Sequence, residues 1–132
     1  MSMENAADRV IGLAADDVAA ELLPAGLGDA IRAAGAVPRG PDRLDDAALP
    51  EWRAARLDGA ILALAGPGGA GARLVASLHH RGAPVVAVAD PAVAQALART
   101  FPTVPVFSHP TEAADLVEAL REQVEGWTGA GS

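Results

Sequence analysis

The feature that most constrains this chain is a regular alternation. Short apolar runs give way to segments with helical spacing, and the pattern repeats five times. The strand candidates are Arg9–Ala14, a short run at Ala36–Pro38, Gly59–Leu64, Pro84–Val88 and Val104–Phe107. Helical patterns fill the intervals over Asp17–Ala34, Asp46–Arg56, Ala70–Arg81, Pro91–Arg99 and Glu112–Glu125. Repeated βα units of this kind predict a mostly parallel sheet with helices on both faces, because parallel strands need crossover connections. Pro24, Gly26 and Gly28 interrupt the first helical segment, so two short helices joined by a turn are expected there. Asp90 ahead of Pro91, and Thr111 ahead of the last helix, are candidate N-caps.

At 132 residues the chain has room for one domain, expected over 9–125, with loose ends at 1–8 and 126–132. Two Trp and two Phe are its only aromatic residues, so the core must be built from small aliphatic side chains. A net charge of -7 argues against a partner recognised through its phosphate backbone, so no nucleic acid is expected. There is no cysteine, which removes disulfide and thiol chemistry. MSMENAADRV lacks the basic and apolar regions of a secretory leader, and no apolar stretch reaches the roughly 18 residues of a membrane span. A cytoplasmic protein without a membrane partner is the expectation.

The most distinctive segment runs from Ala60 to Asp90. Gly66, Gly68 and Gly71 spell G-x-G-x-x-G between a strand and a helix, and Asp90 ends the following strand. That is the outline of a dinucleotide site, in which glycines admit a pyrophosphate to a helix N-terminus and an acid holds the ribose. The motif stands on the third strand instead of the first, and the chain is rich in glycine throughout. A plain Gly/Pro turn accounts for it equally.

The same segment and its neighbours resemble a response-regulator receiver domain (CheY-like) over about Arg9–Glu122. Receivers carry a phosphoacceptor Asp at the end of the third strand, a Pro four positions on and a Gly eight positions on. Counted from Ala63, Pro67 and Gly71 occupy those two places. RLDGAIL, GAPVVAVAD and FPTVPVFSHPTEAADLVEALRE are similar to the third strand, the fourth strand, and the fifth strand with its turn and final helix. GAVPRGP resembles the second strand of one receiver subgroup. The resemblance implies a flavodoxin-like, doubly wound (βα)5 three-layer sandwich with strand order 2-1-3-4-5.

The departures fall on the chemistry. The acceptor place holds Ala63, the hydroxyl place Ala89, the lysine place His109 and the aromatic switch place Val106. The two acids of the first strand become Ala14 and Ala15 without a gap, leaving Asp16 as a remnant. With a one-residue shift, Asp16 and Asp17 form a pair. A capping role for both is the simpler alternative. The resemblance then implies a pseudo-receiver: a phosphorylation-independent signalling module of a two-component or phosphorelay system, with no enzyme activity, metal or cofactor. It would contact a protein partner or a second copy through the fourth helix, fifth strand and fifth helix. The rival reading is a Rossmann-like nucleotide- or CoA-binding domain using the Gly66–Gly71 loop, and Pro105–Leu120 also resembles the flavodoxin-like module of CoA ligases.

His79 and His80 are adjacent, point about 100° apart on a helix and suit a helix C-terminus better than a shared metal. His109 has no nearby Ser or Cys to activate. Trp52 reads as a packed helix residue or a partner contact, and the charges of the last helix as a solvated face.

Overall fold

The structure, a computed structural model, describes residues 9–124. The expected loose ends at 1–8 and 126–132 lie outside the described residues, and the last helix, expected to run to Glu125, ends at Gln123 with Val124 already extended. Five parallel strands form one sheet in the order β2-β1-β3-β4-β5. They are β1 (Arg9–Asp16), β2 (Ala36–Leu44), β3 (Gly59–Ala63), β4 (Val85–Ala89) and β5 (Val106–Ser108). A 3-10 helix (Asp17–Leu22) precedes α1 (Leu27–Ala33), and four more helices follow: α2 (Leu49–Ala54), α3 (Ala70–His80), α4 (Pro91–Thr100) and α5 (Ala113–Gln123). This is the doubly wound, flavodoxin-like arrangement that the sequence predicts.

The pleat divides the core in two. Ile11, Leu13, Ile61, Ala63, Val86 and Val88 face the 3-10 helix, α1 and α5, where they meet Ile31, Leu116 and Leu120. Ala14, Ala60, Leu62, Val85, Ala87 and Ala89 face α2, α3 and α4, where they meet Trp52, Leu74, Leu78 and Leu97. β3 and β4 are buried along their whole length, which is why they read as unbroken apolar runs and not as alternating ones.

The largest difference from expectation is β2, which runs on to Leu44 where a stop near Pro38 is predicted. Pro38, Gly40 and Pro41 read as breakers, but β2 is an edge strand, where proline is tolerated. Gly40 takes a φ of 108°, and the pairing of β1 with β2 shifts between Gly12 and Ala14. β5 is also displaced, to Val106–Ser108 from the expected Val104–Phe107, because Val104 lies in the turn and is buried there.

The caps differ as well. Asp90 stands at the N-cap of α4 with Pro91 behind it, yet its side chain makes no capping hydrogen bond. Glu112, not Thr111, is the N-cap of α5, again without a side-chain bond.

Trp52 is 2% exposed, which removes it as a partner contact. It sits over β1 at Gly12, and the Arg39 guanidinium lies 5.0 Å from its ring centroid. A Cβ at Gly12 would stand 2.7 Å from Trp52 Cζ3 and 2.9 Å from a Leu57 methyl. Gly12→Ala is therefore expected to lower stability by about 1–3 kcal/mol through overpacking, measured as a lower urea midpoint.

Candidate functional site

In open parallel sheets ligands gather outside the carboxyl ends of the strands, at the point where the strand order reverses. Here that point lies between β1 and β3. Asp16 closes β1, Ala63 closes β3, Ala89 closes β4, and His109 follows β5 directly, so the fold brings these residues to one edge. Ala15 pairs with Ala63, and Ala63 with Val88. The His109 N–H donates to the Ala89 carbonyl at 2.8 Å, and the His109–Pro110 peptide is cis. The pleat separates the two alanines, with Ala63 on the α1/α5 face and Ala89 on the α3/α4 face. Both side chains are fully buried, while His109 is exposed.

The dominant interaction at this edge belongs to Asp16, the only buried charged or polar residue among those described, at 6% exposure. Its Oδ1 accepts the Gly71 N–H at 2.8 Å, and its Oδ2 accepts the Ala65 N–H at 2.9 Å. Gly71 lies in the first turn of α3, whose own N-cap, Gly69, has no side chain to offer. Asp16 thus caps α3 from another element, and the positive end of the helix offsets the cost of burying the carboxylate. It stands at the N-cap of the 3-10 helix that follows it but makes no side-chain bond there.

Asp17 goes elsewhere. It is exposed and pairs with Arg43 at 3.2 Å. The structure therefore does not bring Asp16 and Asp17 together as an acid pair, and neither caps its own helix through its side chain. No group of three or more metal-ligating side chains occurs among the described residues. His79 and His80 end α3 as expected, and His79 Nε2 lies 2.9 Å from Thr103 Oγ1.

The glycine loop separates into two kinds of position. Added Cβ atoms at Gly66 and Gly68 would meet nothing within 4 Å, whereas one at Gly69 would lie 3.1 Å from Asp16 Oδ2. At Gly71 a Cβ would collide with the Leu64 side chain and stand 3.0 Å from both Asp16 oxygens. The glycines that matter here make room for a carboxylate of the chain itself. A pyrophosphate brought to the same helix end would find the Gly71 N–H engaged and a negative charge in place, which weighs against the dinucleotide reading of Gly66, Gly68, Gly71 and Asp90. Sequence reasoning passes over Gly69 and assigns the capping role of Asp16 to the helix that follows it, not to α3. The available signal was an acid closing an apolar strand together with four glycines in six residues at Gly66–Gly71.

No protein-family model, no curated protein and no solved structure matches this chain.

Asp16→Ala is expected to cost about 2–4 kcal/mol in urea unfolding, since two amides lose a charged acceptor, and Asp16→Asn should cost less because one acceptor oxygen remains. Amide exchange at Ala65 and Gly71 should accelerate in the alanine variant. Within the loop, Gly71→Ala should cost about 1–3 kcal/mol, whereas Gly68→Ala should stay within about 0.5 kcal/mol of the parent. NAD should leave the melting temperature of the parent unchanged; a saturable rise that Gly68→Ala abolishes would restore the nucleotide reading.

Proposed function

We propose that this chain is a receiver-like binding module that works through its surface, without a phosphoryl switch. The observation that carries this reading is the chemistry at the carboxyl edge. A buried methyl group, Ala63, stands at the place where the resemblance puts a receiver's nucleophile, and both oxygens of Asp16, the one buried acid among the described residues, bind backbone amides. A phosphoryl acceptor needs a free carboxylate, a metal to offset charge on the phosphoryl oxygens, and donors to hold them afterwards. The resemblance of Arg9–Glu122 to receivers supports the family, and the strand order agrees with it. A fold alone does not assign a function, so the signalling role rests on that resemblance.

The working face in this reading is α4, β5 and α5, at the end of the sheet away from β2. Gln95 and Arg99 are exposed on α4, and Phe107 is half-buried on β5. At the start and along α5, Glu112, Asp115 and Glu122 are exposed, while Glu118 pairs with Arg121 at 3.2 Å on the side that faces α1. Such an acidic rim favours a basic protein partner and repels acidic ones.

Incubation with acetyl phosphate and Mg²⁺ should leave the mass of the protein unchanged, and uptake of one acid-labile phosphoryl group would overturn the proposal. Ala63→Asp should be phosphorylated poorly at best, because the new carboxylate enters a buried position beside Ala15 and Val88, without a metal site. Adding Ala89→Thr and His109→Lys should raise the yield. Efficient phosphorylation of the single variant would mean that the pocket is intact and only its acceptor is missing.

A further inference from the structure

A cavity of about 460 Å³ opens beside the carboxyl-terminal halves of β1 and β2, on the face of the sheet that carries α1. Its size falls in the usual range of roughly 300–1,000 Å³ for small-molecule sites, and ligands of open parallel sheets gather outside these strand ends. It lies away from α4, β5 and α5 and does not depend on the receiver reading.

The backbone builds its two walls. After β1 the chain makes only a 3-10 helix, then turns through Leu23–Gly26, with Gly26 at a φ of 80°, before α1 begins at Leu27. On the other wall Gly40 takes a φ of 108°, and a Cβ there would run into the Leu13 carbonyl oxygen, so only glycine lets β2 lie this close to β1 on its way to Pro41. Pro24 and Pro41 add one rigid ring to each wall.

The side chains decide the ligand class. Leu13, Ala15 and Leu27 belong to the core on this face, and Leu23 packs against it, so the interior of the cavity is apolar. Three charged residues border it. Asp42 pairs with Ala14 and stands two positions before Leu44, so its side chain turns to the opposite face of the sheet. Arg43 pairs with Ala15 and shares the face of the cavity, where its guanidinium meets the Asp17 carboxylate at 3.2 Å, both side chains being exposed. The rim therefore carries one compensated pair and no spare charge among the described residues. A ligand of either sign would have to break that pair or face its like-charged member without a partner, whereas an uncharged apolar molecule leaves the pair intact and gains by leaving water. We propose that this cavity binds a small, uncharged, largely apolar molecule, seated against Leu13, Leu23 and Leu27.

The test is an amide-resolved NMR titration of the whole chain with indole, tryptamine and indole-3-acetate, an uncharged probe with its cationic and anionic relatives. Indole should give saturable shifts centred on Leu13, Ala15, Leu23 and Leu27, and both charged probes should bind about tenfold more weakly or worse. Neutralising the rim with Asp17→Asn and Arg43→Gln together should leave the indole affinity within about twofold of the parent, because the pair is not a ligand contact. Ala20→Phe and Ala25→Phe, at two exposed positions of the lining, should each block indole. The urea midpoint shows which of the two variants folds as the parent does, and that variant decides the point. The proposal is overturned if indole shifts fail to saturate or centre elsewhere, if they survive the deciding variant, if either charged probe binds as tightly as indole, or if neutralising the rim abolishes indole binding in a protein with the parent's urea midpoint. None of these outcomes bears on the acetyl phosphate result.

Discussion

A carboxylate buried at the end of β1 holds two backbone amides that lie 49 and 55 positions further along the chain. Burying a charge in an apolar core is expensive unless it is hydrogen-bonded, and Asp16 meets that condition with the loop after β3 and the first turn of α3. The bond to Gly71 requires the close approach of α3, which in turn requires that residues 69 and 71 have no side chains. The path of the loop, the seating of α3 on the sheet and the filling of the switch point between β1 and β3 follow from this one contact. It also determines what the edge can do. Donors that other proteins of this architecture turn outward toward a ligand are turned inward here.

The order of elements was legible because each βα unit carries its own local signal. β3 and β4 are apolar along their length, and α3 begins and ends within a residue of where the periodicity places it. The break in the first helical segment was legible for the same reason, since Pro24 and Gly26 act locally. The long β2 was not, because its edge position is a property of the assembled sheet and only that position makes Pro38 and Pro41 acceptable. The candidate site was legible in part. The places at the strand ends could be counted along the sequence, but the bond from Asp16 to Gly71 joins segments that no local pattern connects. Asp90 and Thr111 carry capping chemistry in their residue types, and the fold satisfies those helix ends without their side chains.

The alanine-rich core has a related effect on the sheet. Ala14, Ala15, Ala63, Ala87 and Ala89 occupy positions at or near the strand ends where larger residues would hold the helices further away. On the face that carries α3, the small side chains of Ala14, Ala87 and Ala89 let that helix approach closely enough for its N–H groups to reach a strand-end carboxylate. Close packing and the closed switch point are thus two aspects of one composition.

The prolines of β2 affect the molecule's dealings with its own copies. An outer strand displays a row of main-chain groups ready to pair with another chain, and β2, at nine residues, is the longer of the two outer strands. Pro38 and Pro41 each remove one donor from it, and the left-handed turn at Gly40 bends the row out of line. A neighbouring strand arriving at this side cannot form a continuous ladder, even though Val37 leaves an apolar side chain 47% exposed. The same irregularities that let β2 follow β1 past Gly40 guard its outer rim against fibre-like stacking.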